Sequence, residues 1–418
     1  MYQYVGMMIG HYRKKAFDET KLPLYTQNHF IQNNNSIICS QSKLSLIENG
    51  KVLVPYPEEY VGLINKLDRH FFEYEQVMDL YEDFVSQLLN AIQYQTLVEL
   101  KQLEHRFNIE LSKYSTFFYL SEVNRIIEAT FNVLLDRSLI DTKHTSDLLE
   151  MSHCFPDTIR ILIYNLAFIV VENYTDQTLA HLLMVKVDKF KSNEPIISIF
   201  KMNLKVRKAK IISAQRELLK LKELSLSELL KFRIDRLLYA VEVQHVDSVE
   251  DALKLQNPAD NYLDVNRYEK YKAHMALAYF CYDETNYKEA LTHYQKGITL
   301  NPEASGFALI FICDCLSELE KIDELNSFLI NSKPYLHLFP SITTLIHSFF
   351  SSYVDNELGK SNIINIDDLS NALAHVPLDN PYVLIIRKYI IKYVKRTHSY
   401  KLLFDFESKS YTQNVNAK

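Results

Sequence analysis

The 418-residue sequence predicts an all-α protein in two parts, a small N-terminal helical bundle over 1–68 and a long helical array over 69–418. Three observations carry this expectation. Glycine is scarce: of seven in all, Gly6, Gly10, Gly50 and Gly62 fall in the first part, which leaves only Gly297, Gly306 and Gly359 to punctuate the rest. A strand-rich fold needs far more turn residues than that. Leu, Ile, Lys and Glu are abundant and suit long helices. Apolar positions recur at helical spacing through most of the chain.

Composition narrows the class further. The chain exceeds the usual size of one domain, and its 47% hydrophobic and 23% charged content is ordinary for a soluble protein. A net charge of −6 argues against a molecule that binds polyanions over its whole surface. The first 67 residues differ: seven Lys and Arg minus five Asp and Glu give +2, which leaves −8 for the remainder. A slightly basic head on an acidic body suits a small module that faces nucleic acid. The five cysteines are odd in number and sit in apolar helical context, so buried, reduced thiols in the cytoplasm are expected. Cys313 and Cys315 lack metal-ligand spacing, and no metal or cofactor is expected. No secretory leader is read at the start. Apolar runs such as 161–171 fall short of the ~20 residues that a bilayer requires, so no membrane association is expected.

The first helix is expected over about 5–17. Gly6, Ile9 and Arg13 stand at G-x-x-I-x-x-x-R spacing, and Met8, Ile9, Tyr12 and Ala16 share an inward face. Thr26 is placed to cap a second helix, whose first residue, Gln27, can reach a phosphate. Ser40 is placed to cap a third. There Leu44 and Ile47 point inward at i, i+3 spacing, and Gln41, Ser42, Lys43 and Ser45 occupy the other face. Glutamine can bond adenine edge-on and lysine can meet guanine or phosphate, although a short helix with such residues is also an ordinary solvated face. Asn49-Gly50 supplies the left-handed stop, and a fourth helix over 58–67 closes the bundle.

Taken in order, this set resembles the xenobiotic-response-element class of helix-turn-helix, the lambda-repressor-like fold. The run at 38–51, with Cys39-Ser40-Gln41-Ser42 followed by Ile47-Glu48-Asn49-Gly50, is similar to the peptide-pheromone-responsive regulators called the RNPP family. The resemblance implies a double-stranded DNA operator as partner. It places Gln27 on the phosphate backbone and Gln41, Ser42 and Ser45 toward bases. Ser40 stands at the head of the same helix, and Lys43 and Lys51 flank it. The sequence departs from the pattern in two longer intervals, 13–26 and 27–48. Asn33-Asn34-Asn35-Ser36 is the expected insert in the second, read as loop, and it can tilt the third helix.

The body is most legible at 268–302. Leu277, Ala278, Tyr287, Ala290, Tyr294, Gly297 and Pro302 fall on the signature positions of a tetratricopeptide repeat, which this segment resembles. One such hairpin cannot bury both faces, so neighbours are required, and 69–418 is expected to form a tetratricopeptide-like right-handed helical solenoid. Further helices are expected downstream at about 305–318, 322–332, 341–355, 366–375 and 381–395. Upstream they are expected from 71 to 256, with 195–222 as one long stretch. Residues 201–222 hold eight Lys and Arg against Glu217. They read either as a solvated face with aliphatic stems or as a basic face for a peptide carboxylate or DNA. By resemblance, an extended peptide would lie along Lys272, Met275, Tyr279, Tyr282 and Asp283. Asn165, Asn173 and Asn203 are candidates to hold its backbone, because an amide both donates and accepts.

Catalytic signatures are missing. There is no phosphate-binding glycine loop, no H-E-x-x-H and no serine elbow, and His153-Cys154 reads as a helix end. The expectation is therefore a non-enzymatic transcription regulator. It would act as a homodimer whose two modules meet half-sites about 34 Å apart, under control of a short signalling peptide. A helical-repeat interaction scaffold, or a receptor that sequesters a response regulator without binding DNA, is the alternative.

Overall fold

A computed structural model describes residues 2–16, 26–33, 36–71, 75–95, 97–138, 140–174, 177–207, 210–262, 265–302, 305–338, 341–360, 367–373, 380–398 and 400–416. The all-α expectation holds at this level: the described residues are nearly all helical, with one two-stranded antiparallel hairpin. They fall into two compact units. The first spans 1–172, 177–238 and 262–266, and the second 173–176, 239–261 and 267–418. No helix among the described residues is long and apolar enough to cross a membrane.

The first unit begins with α1 (Tyr2–Lys15), α2 (Gln27–Phe30), β1 (Gln32–Asn33), β2 (Ser36–Ile37), α3 (Gln41–Glu48) and α4 (Pro57–Asn65). The G-x-x-I-x-x-x-R spacing proves to be a packing stripe. A Cβ on Gly6 would stand 2.3 Å from the Ile47 carbonyl oxygen, so α1 can approach α3 this closely only with glycine there. One turn on, Gly10 faces Glu48. Arg13, a further turn on, is buried and grips Glu48 through Nε and through Nη2, the latter 2.9 Å from Oε2. Ile9, Leu44 and Ile47 are fully buried between the helices.

Of the expected insert, Asn34 and Asn35 lie outside the described residues, and Asn33 and Ser36 sit in short strands. Gln32 pairs with Ile37 and Asn33 with Ser36, so strands lead out of α2 and back toward α3. Gly50, at φ +64°, ends α3 as expected, with its N–H bonded to the Ile47 carbonyl and that of Lys51 bonded to Leu46.

The unit continues through α5 (Glu75–Tyr94), α6 (Leu97–Glu110), α7 (Phe118–Leu134), α8 (Thr142–Glu150), α9 (Asp157–Tyr174) and α10 (Gln177–Lys189). After these come α11 (Pro195–Arg207), α12 (Ile211–Lys222) and α13 (Glu228–Val243), the last belonging to this unit up to Leu238. The stretch expected over 195–222 holds two helices, α11 and α12, packed on each other. Helix α1 is braced on this scaffold. The Tyr12 hydroxyl donates to Glu122 of α7, and Lys15 Nζ lies 3.0 Å from Asp147 and 2.6 Å from Glu150 of α8.

In the second unit, α14 (Val249–Lys254) and α15 (Pro258–Asn261) precede α16 (Arg267–Asp283) and α17 (Tyr287–Leu300). Next are α18 (Ser305–Glu318), α19 (Ile322–Ser332), α20 (Ser341–Glu357), α21 (Asp367–Leu373), α22 (Pro381–Thr397) and α23 (Tyr400–Asn416). Helix α23 has no counterpart in the sequence expectation. Each of α16 to α19 packs on the helix that follows it. Ala278 and Ala290 are fully buried in the α16–α17 seam, where small residues allow close approach. All five cysteines are buried, as expected from their apolar context.

Candidate functional site

Two helix starts converge in the N-terminal module. Thr26 Oγ1 accepts from the His29 N–H, and Ser40 Oγ accepts from the Lys43 N–H at 3.1 Å, so both expected caps are made. Gln41 Nε2 then donates to Gln27 Oε1 at 3.1 Å, which fixes the first residue of α3 beside the first residue of α2. Ser40, Gln41, Ser42 and Lys51 are exposed, and Gln27 and Ser45 are half-buried. The Gln27–Gln41 contact was not expected from sequence. It leaves Gln41 Oε1 and the second Nε2 proton for a partner, a pre-oriented donor and acceptor.

Lys43 departs from its expected place on the flank of this face. Its ammonium lies 2.7 Å from Glu59 and 4.1 Å from the centre of the Tyr56 ring. The cause is local. Tyr56 stands at the cap of α4 and Glu59 in its first turn, and together they offer a carboxylate and an aromatic face to a half-buried amine. The module also exposes apolar side chains: Ile37, Leu46, Leu53 and Val54 are all exposed, Leu53 almost wholly.

The residues expected to hold a peptide are placed less openly. Asn165 is fully buried on α9, and its Oδ1 accepts from Arg233 Nη1 at 2.8 Å. The Arg233 guanidinium is itself buried near the Phe168 and Phe200 rings, 5.8 and 5.7 Å from their centres. Asn203 is buried on α11 and donates to Glu172 at 2.9 Å, and Glu172 also takes Arg236 at 2.8 Å. Expected to hold a peptide, these two asparagines instead make two separate sets of buried side-chain contacts, one between α9 and α13 and one among α9, α11 and α13. Asn165 Nδ2 has no hydrogen-bond partner among the described residues. The side chain of Asn173 lies outside the described residues.

On α16, Met275 is corrected from groove to seam: it is buried, with its methyl against Gly297 of α17. Tyr279 packs on Phe311 of α18 with ring centres 4.6 Å apart, and the Tyr282 hydroxyl donates to buried Asp314 of the same helix. Burial pushes both phenols well above their ordinary range. The physical reason is that α18 lies over the stripe that sequence spacing had assigned to a ligand. Lys272 remains half-buried and Asp283 exposed. Asp314, which spacing did not single out, also receives the Tyr389 hydroxyl at 2.6 Å and the Lys388 ammonium.

Nothing in the cysteine chemistry suggests catalysis. Cys154 Sγ lies 3.5 Å from His153 Nε2, yet burial pushes its thiol up to about 12, out of reach of a thiolate at neutral pH. Compared with protein-family models, curated protein sequences and solved structures, the chain matches none.

Proposed function

We propose that the protein is a sequence-specific, ligand-responsive DNA-binding regulator whose N-terminal module is a helix-turn-helix in which a β-hairpin replaces the turn. The observation that carries this reading is the Gln27–Gln41 hydrogen bond at the joint start of α2 and α3. It aligns two capped helix N-termini beside an exposed row of Ser40, Gln41 and Ser42. Helix N-termini favour phosphate, and a fixed glutamine amide can bond adenine through both of its polar atoms. Lys51, exposed just past α3, adds a cation for the backbone. A homodimer would cover the exposed Leu53 and Val54, which otherwise cost solvent contact.

The body, in this reading, is a tetratricopeptide-like solenoid that takes a short signalling peptide. The consecutive packing of α16 to α19 supports the repeat part. Peptide control requires that the peptide bind one arrangement of the dimer more tightly than another.

Mobility shifts on upstream genomic fragments, run at graded salt, test the DNA claim. Gln41→Ala is expected to lose about 1–3 kcal/mol of discrimination at one base pair. Lys51→Ala is expected to weaken all sequences alike and to lower the salt slope by about one. Retention that is indifferent to both substitutions rules out the named contacts. Absence of sequence-selective retention removes the regulator reading in favour of an interaction scaffold.

A further inference from the structure

Within the first unit, residues of α1, α7 and α8 and of the 67–69 segment line a cavity of about 550 Å³, inside the roughly 300–1,000 Å³ span of small-molecule sites. Its polar groups are unevenly matched. Lys15 spends its charge on Asp147 and Glu150. Glu122 is buried and receives the Tyr12 hydroxyl on Oε1, but its Oε2 has no hydrogen-bond partner among the described residues. That oxygen is ion-paired with Arg125 Nη1, 3.4 Å away. Arg69 also lines the cavity, is exposed, and meets no carboxylate among the described residues. Arg125 lines the same cavity as Arg69. Leu67, Phe118 and Met151 form an apolar wall.

We propose that this cavity binds a small α-amino carboxylate with an apolar side chain. Arg69 and Arg125 take its carboxylate, Glu122 Oε2 takes its ammonium, and the Leu67–Phe118–Met151 wall takes its side chain. Guanidinium forks match carboxylate geometry. A simple oxyanion would leave the Glu122 oxygen facing a like charge. A purely apolar guest would leave the Arg69 guanidinium beside it with no carboxylate to meet. Both alternatives fit the lining worse than a zwitterion does.

The site has a mechanical consequence. Helix α1 carries the Gly6–Arg13 stripe that seats α3, so a ligand joining Arg69 at the end of the module to Glu122 and Arg125 of α7 ties α3 to the scaffold. That consequence rests on the DNA-binding reading, whereas occupancy of the site does not.

Calorimetric titration of the full chain with L-leucine, L-methionine and L-phenylalanine tests the proposal, with leucinamide and 4-methylpentanoate as comparators. At least one of the three amino acids is expected to bind with 1:1 stoichiometry. Removing the carboxylate, the amine, or the Arg69 guanidinium by Arg69→Gln is expected to weaken binding by about tenfold or more. Arg69 is exposed, so this variant is expected to keep the parent Tm. No binding of the three amino acids at millimolar concentration overturns the proposal. So does equal binding of either comparator, or indifference to Arg69→Gln. Binding of an amino acid by a chain that retains no DNA supports the site and removes only the DNA reading.

Discussion

Arg13 and Glu48 are 35 residues apart in the chain and meet in the core of the N-terminal module. A buried pair of this kind specifies register between α1 and α3 more than it adds stability, because desolvation offsets much of its attraction. Removing one partner is another matter. Arg13→Ala leaves a buried carboxylate and is expected to cost about 3–5 kcal/mol in urea denaturation followed by tyrosine fluorescence. Arg13→Met combined with Glu48→Leu is expected to cost less than Arg13→Ala alone. The glycines offer a second contrast. A Cβ at Gly6 meets the rigid Ile47 carbonyl, so Gly6→Ala is expected to lose about 1–3 kcal/mol. At Gly297 the nearest atom is the methyl end of Met275, which can swing, and Gly297→Ala is expected to lose less in the same assay.

At the scale of elements, local signals were legible where chemistry is local. Thr26 and Ser40 cap α2 and α3 because their hydroxyls satisfy N–H groups three residues on. Ser40→Ala is accordingly expected to cost about 1 kcal/mol of stability by thermal unfolding, independent of any DNA effect. The hairpin between α2 and α3 was not legible: Gln32, Asn33, Ser36 and Ile37 lack the β-branched alternation that marks strands. Lys43 was misread for the same reason that α18 was unforeseen over α16. A helical stripe shows which residues share a face, but not which neighbour covers that face. Glu59→Gln is expected to release Lys43, detectable as stronger, more salt-sensitive retention on DNA of any sequence.

At the scale of the whole molecule, half-buried His11 and buried His293 set a pH limit. His11 is pushed down to about 4 by burial first and by Lys15 and His153 next, against Glu150 and Asp147. In the second unit His293 is pushed down to about 4, again by burial first. A histidine held neutral in the fold but titrating near 6.5 when unfolded leaves the unfolded chain with more protons below that pH. Stability is therefore expected to be full above about pH 6.5 and to fall steadily as pH drops toward 4. Urea midpoints taken at half-unit steps check this, and His11→Asn is expected to flatten part of the slope. A midpoint that stays level from pH 7 to 5 contradicts the burial argument.

The sequence by itself determined the helical class, the caps and stop of α3, and the inward stripes of α1, α3 and α17, since each depends on neighbours a few residues away. Tertiary structure decided what those faces meet. Asn165 and Asn203 became buried links only because Arg233 and Glu172 lie 68 and 31 residues away along the chain. The cavity beside Tyr12 likewise exists only because α1 and α7, remote in sequence, are held together by Glu122. Periodicity records that a residue is apolar or polar on a given face, and long-range packing alone selects its partner.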